Sequence, residues 1–184
     1  MKNYASIIIS TPMISGTIDV YELADTIQHE VEHIYQSEKN DNYFKYSDIL
    51  PYATDNLSCE NDIVRNVSNI IYYSSQFEED GFVSGAYAYL QKFGPLPSYK
   101  NLEETPAYKG YVTLKNSVEF ISDPMNQPAV AKKCKQLKLT YNKLLKMGEA
   151  GCDRFVRKIG KMFIKYKKDA QENGIRITGN GYLF

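Results

Sequence analysis

The stretch Val20-Tyr-Glu-Leu-Ala-Asp-Thr-Ile-Gln-His29-Glu30-Val31-Glu32-His33-Ile34 contains both histidines of a 184-residue chain. Its apolar residues Val20, Leu23, Ala24, Ile27, Val31 and Ile34 fall within about 100° on a wheel of 3.6 residues per turn, which predicts an amphipathic helix laid on a core. Gly16-Thr17 precedes the run, and Asp19, Glu22 and Asp25 put negative charge in the first turns, where the helix dipole favours it. His29 and His33, four residues apart, stack on one face, on the side away from the apolar stripe with Glu22 and Thr26. The pair is therefore expected to open to a cleft rather than to pack. Two imidazoles so placed can converge on one metal ion, and Glu30, about 100° around the helix, can reach a water on that ion rather than the ion itself. Two histidines placed at random fall four apart with a chance of roughly 1%, so a solvated polar face carrying them by accident is the weaker reading.

Downstream, residues 38–58 are polar and turn-rich, with Asn40, Asp41, Asn42, Pro51 and Asn56. They read as a loop over or beside the cleft, anchored by Tyr43, Phe44 and Tyr46. A helix over about 61–74 has Ile63, Val67, Ile70 and Ile71 as its core stripe. After Ser74-Ser75 a second helix, about 77–93, starts with the acids Glu78, Glu79 and Asp80 and continues through Phe82, Ala86, Tyr89 and Leu90. Only one of three adjacent acids can point squarely at the histidines, and the wheel alone does not choose between Glu78 and Glu79. Gly94-Pro95-Leu96-Pro97 closes this half.

The His-Glu-x-x-His segment resembles the active-site helix of the zincin metallopeptidases, and the acidic segment resembles the third-ligand element of their gluzincin branch, in a compact, minigluzincin-like form. The resemblance runs from about residue 4 to about residue 92. It implies a zinc-dependent metallopeptidase hydrolysing peptide bonds, with Zn2+ held by His29, His33 and Glu78 and with Glu30 activating a zinc-bound water. Glu78 is preferred as third ligand because Gly81 follows it by three residues, leaving room for the His-bearing helix, as the small residue does in that family's E-x-x-A contexts. Where many gluzincins place an Asp that orients the first histidine, this chain has Phe82. An oxyanion-stabilising His is missing, which leaves Tyr72 and Tyr73 as candidates; for each, ordinary packing competes with that role.

Upstream, β-branched residues at 4–10 read as a strand ended by Thr11-Pro12, able to align an extended substrate by strand addition. The C-terminal half reads as three helices. Thr105-Pro106 opens the first, with Ala107, Tyr111, Leu114, Val118 and Ile121 as its seam, and Pro124 stops it. The second spans Pro128 to about Met147, and Gly148 and Gly151 bracket a break before a third from Cys152 to about Glu172. Residues 175–178 are a possible last strand. The fold class expected is thus mainly α (α+β): minimal zincin-like helices with a short N-terminal β element, then a helical bundle portion. Residues 1–97 form the metal-binding part, and 98–184 a basic part packed on it as one compact unit.

Composition limits the alternatives. With 43% hydrophobic and 24% charged residues the chain is ordinary for a globular protein, and no apolar run approaches the roughly 20 residues of a membrane span. The apolar part of the N-terminus is too short for a secretory signal, so an intracellular, cytoplasmic protein is expected. Cys59, Cys134 and Cys152 are too far apart for a thiolate zinc site or a disulfide framework. Residues 1–100 hold 6 Lys/Arg against 14 Asp/Glu, and residues 101–184 hold 16 against 8, so a net charge of zero divides into −8 and +8. A basic half can bind nucleic acid, but these lysines surround helices that already have core stripes, and no aromatic residues interleave with them. A solvated face is the better reading. The expected partner is a peptide or protein substrate, with no membrane. The alternatives are a non-catalytic, regulatory zincin-like metal-binding protein and a helical nucleic-acid-binding protein.

Overall fold

The computed structural model describes residues 19–39, 49–94 and 96–173. Its elements are α1 (Val20–Lys39), α2 (Ile49–Asp55), α3 (Asp62–Tyr73), α4 (Gln76–Tyr89) with a 3-10 turn at Leu90–Phe93, α5 (Tyr99–Glu103), α6 (Pro106–Ser122), α7 (Gln127–Gln136) and α8 (Tyr141–Asn173). Among the described residues there is no strand, and the expectation of an α+β fold with an N-terminal β element is corrected to an all-helical, bundle-like arrangement. The strands expected at 4–10 and 175–178, and the anchors Tyr43, Phe44 and Tyr46, lie outside the described residues. So do residues 40–48 of the expected 38–58 loop; of the remainder, 38–39 end α1 and Ile49–Asp55 fold as α2, with Ala53 buried, so the loop expectation is corrected there.

The helix starts follow the side chains before them. Asn61 accepts from the Val64 amide and Thr105 from the Tyr108 amide, each satisfying a donor that the first turn cannot pair. Pro106 stands at the start of α6, where its missing N–H costs nothing. Asp123, extended ahead of Pro124, ends that helix.

Two expectations in the C-terminal half are corrected. The helix expected over Pro128 to Met147 stops at Gln136, where Lys138 takes a positive φ of 55° and the Leu139 amide turns back to the Cys134 carbonyl at 2.9 Å. Thr140 then caps α8 by accepting from the Lys143 amide. The break expected at Gly148 and Gly151 does not occur, and α8 runs 33 residues through both. These glycines serve close approach. A Cβ on Gly148 would come within 2.5 Å of Val118 on α6, and one on Gly151 within 2.7 Å of the Ser74 Cβ in the α3–α4 turn. Packing gained along the whole helix exceeds the roughly 1 kcal/mol that each glycine costs in helix propensity.

One hydrophobic cluster joins α2, α3, α4, α6, α7 and α8, with Val67, Ile70, Leu114, Phe155, Phe163 and Tyr166 at its centre. α4 contributes Ala86 to it and the 3-10 turn Leu90, and another side of α4 carries α1. The N-terminal end of α1 is tied down by Asp19, which pairs with Lys92 at 2.7 Å. No helix among the described residues is long and apolar enough to cross a membrane.

Candidate metal centre

The face of α1 that packs coincides only in part with the apolar stripe. Ala24, Asp25 and His29 are buried against α4, with His29 8% exposed, while Val20 and Val31 are 43% and 40% exposed. The expectation that the histidines face away from packing is therefore corrected. The reason lies on α4, where Gly81 and Gly85 leave hollows one turn apart. The His29 ring rests on Gly81, and Asp25 rests on Gly85.

This contact brings His29, His33 and Glu78 together. The Nε2 atoms of the two histidines are 3.0 Å apart, and Glu78 Oε2 lies 3.4 Å from the first and 3.7 Å from the second. Ligand atoms at about 2.05 Å from a tetrahedral zinc lie about 3.3 Å from one another, so the triangle has the size of one face of such a shell. Glu78 Oε2 is buried and makes no hydrogen bond. An orphaned carboxylate oxygen facing two imidazole nitrogens is a donor set suited to a divalent cation with N/O preference.

The charges bear out the coupling of these groups. Burial would raise the Glu78 carboxyl, but the His29, His33 and Tyr72 side chains that face it outweigh burial and hold it down to about 2. Burial alone would lower His33, and Glu78 beside it raises it above its ordinary value instead. The outer nitrogen of His33 also has a partner, since Nδ1 lies 3.3 Å from Gln36 Oε1, an acceptor for an Nδ1 proton that leaves Nε2 free of one. Gln36 in turn reaches Asp80 at 3.5 Å.

The three adjacent acids point three ways. Glu78 joins the histidines. Glu79 is 0% exposed and is gripped by α8, with Arg154 at 2.7 Å and Lys158 at 2.9 Å. Asp80 lies toward solvent and pairs with Lys158 at 2.7 Å. Arg154 also donates to the Ser74 carbonyl, so the ion cluster fixes the turn from which α4 departs. Part of the charge asymmetry between the two halves of the chain is spent here, on the register of α4.

Glu30 is exposed on the flank of α1, near enough for its charge to act on both His33 and Tyr72. Tyr72 is half-buried beside Glu78, and burial first, then the Glu78 charge, raises its hydroxyl far above the ordinary value. Tyr73 stacks with Phe82 at 5.6 Å between ring centres and belongs to the aromatic packing under the site. Phe82 itself meets the His29 ring edge to face at 4.7 Å.

Among the described residues, His29, His33 and Glu78 are the one group whose side chains could jointly hold a metal ion. Sequence reasoning missed Gln36, and it took Asp25 only as a first-turn charge. The spacing of Gly81 and Gly85 was the available signal for Asp25, because two glycines one turn apart mark where two neighbouring side chains of another helix can sink in. No protein-family model, curated protein or solved structure matches the chain.

Proposed function

We propose that this protein is a zinc-dependent metallopeptidase of compact gluzincin type. The observation that carries the reading is the triangle of His29 Nε2, His33 Nε2 and Glu78 Oε2, with sides of 3.0, 3.4 and 3.7 Å and an unpaired buried oxygen at one corner. These three side chains would hold the ion, which supplies a Lewis acid for a peptide carbonyl and acidifies water. Glu30, between the two histidines and open to solvent, takes the proton from the attacking water on its carboxylate and returns it to the leaving amine. Tyr72 keeps its proton at any physiological pH, so its O–H remains a donor for an oxyanion beside Glu78. Glu79 and Asp80 take no part in the chemistry, since both are committed to Arg154 and Lys158.

An intracellular setting, where thiols stay reduced, agrees with Cys59, Cys134 and Cys152 all being free. Elemental analysis of protein made in zinc-sufficient medium, followed by digestion of a broad peptide library, tests the proposal. About one zinc per chain with cleavage supports it. Zinc without cleavage by any library member leaves a regulatory, non-catalytic metal protein, and a zinc content near zero ends the reading.

A further inference from the structure

We propose that Asp25 is the positioning residue for His29, accepting the Nδ1 proton of that ring when its Nε2 serves as a metal ligand. The inference rests on the metal-centre reading above and assigns a role that the sequence pattern left open at Phe82.

Four buried side-chain polar atoms among the described residues lack a hydrogen-bond partner, and two of them are carboxylate oxygens, Glu78 Oε2 and Asp25 Oδ1. Both belong to residues that act on His29. Glu78 meets its Nε2, and Asp25 lies one turn before it on the same face of α1. A carboxylate only 6% exposed, set into a helix interface without a hydrogen bond to one of its oxygens, is a costly placement that an alanine or valine would avoid. The space it occupies is made for it. A Cβ on Gly85 would lie 2.5 Å from Asp25 Oδ1 and 2.6 Å from its backbone oxygen. Other polar groups nearby are already used, since Gln28 donates to Ser84 at 3.1 Å.

The two histidines differ in their outer nitrogens. His33 Nδ1 has Gln36, whereas no hydrogen bond among the described residues involves His29 Nδ1. The two Nε2 atoms are 3.0 Å apart, a hydrogen-bond distance at which the tautomers decide the donor. With Gln36 as the acceptor for a proton on His33 Nδ1, the donor is His29 Nε2. For His29 to become a neutral ligand through Nε2, the proton moves to Nδ1 of the same ring, with no net gain or loss. There it needs an acceptor that holds both tautomer and ring orientation. Asp25 supplies it from the helix that carries the histidine, so the second helix need only present glycine.

The test measures zinc affinity by chelator competition for wild type, Asp25→Asn and Asp25→Ala, and records proton-nitrogen spectra of the imidazoles, which are simple because the chain has two histidines. Asp25→Ala is expected to bind zinc roughly 10- to 100-fold more weakly. Asp25→Asn keeps one acceptor oxygen and should lose less than Asp25→Ala. Both metal-free variants should melt no lower than wild type, because a buried charge has been removed. A purely structural residue would shift the melt without this graded loss of affinity. In zinc-loaded wild type the His29 Nδ1 proton should exchange slowly, and in Asp25→Ala rapidly. Affinities within twofold of wild type for both variants, with that proton unchanged, would overturn the assignment. Should Asp25→Ala misfold, Asp25→Asn carries the decision. Zinc-free wild type would remove the metal-centre reading itself, a failure seen without any substitution.

Discussion

The His29 ring lies so close to the backbone of Gly81 that a Cβ at residue 81 would come within 2.8 Å of Cε1 and 2.9 Å of both ring nitrogens. In an ordinary helix, Gly81→Ala would stabilise by about 1 kcal/mol through propensity. Here the ring must move, at a cost of about 1–3 kcal/mol, and it carries Nε2 away from Glu78. The variant should melt below wild type and bind zinc at least about tenfold more weakly. A higher melting temperature with unchanged zinc affinity would show that the ring has room to spare.

Glu78 and Glu79, neighbours in the chain, should fail in different ways. Glu78→Ala is expected to lower zinc affinity by at least roughly tenfold, while the metal-free protein still folds and loses only the stability that Glu78 and His33 share. Glu79→Ala removes the fully buried partner of Arg154 and Lys158 and should cost about 3 kcal/mol, discounted from the upper range because both cations are partly exposed. That corresponds to a melting temperature lower by roughly 6–12 °C, with zinc still bound. Equal zinc affinities in the two variants would mean that the ligand has been misassigned.

Glu30→Gln deletes a proton acceptor while keeping the shape of an exposed side chain. Zinc content and melting temperature should match wild type, and peptide hydrolysis should vanish. Cleavage at the wild-type rate would pass the role of base to another group.

The pH dependence follows from the two shifts at the site. Glu78 is lowered from 4.5 to about 2, so its contribution to stability is complete above 4.5 and is lost as pH falls toward 2. His33 is raised above 6.5, so its contribution is complete below 6.5 and is lost as pH rises through its folded value. The metal-free protein therefore gains most from this pair between 4.5 and 6.5. Zinc displaces the proton from His33, so zinc affinity should rise over the same interval in which the metal-free contribution declines. Melting curves and chelator competition between about pH 5 and pH 8 check this. Affinity that stays flat across that range would count against His33 as a ligand.

The sequence made α1 legible and named the three side chains that the structure brings together, because a His-x-x-x-His spacing and a glycine three residues after an acid are local patterns with direct geometric meaning. It misjudged which side of α1 is buried. Periodicity ranks faces by hydropathy, whereas here burial was decided by hollows on α4, and two glycines drew in Asp25 and His29 while Val31 stayed at the surface. The end of α7 was invisible for a related reason. The turn at Lys138 is closed by backbone hydrogen bonds in a stretch with neither glycine nor proline. Gly148 and Gly151 misled in the opposite direction, since the same residue type that signals a break also permits tight packing.

The attachment of α1 has a dynamic consequence. Among the described residues its substantial packing is on α4, and it stands outside the cluster that binds the other long helices. A helix held along one seam is the natural candidate to open on its own while the bundle stays folded. His29 and His33 lie on that helix and Glu78 on its neighbour, so an ion held by all three would act as a clasp across the seam. Amides of α1 should then exchange with solvent well before those of α6 and α8 in metal-free protein, and zinc should slow α1 selectively. Metal occupancy would thereby set the lifetime of the closed site as well as its chemistry, and a protease or chelator in solution would compete for the same brief openings.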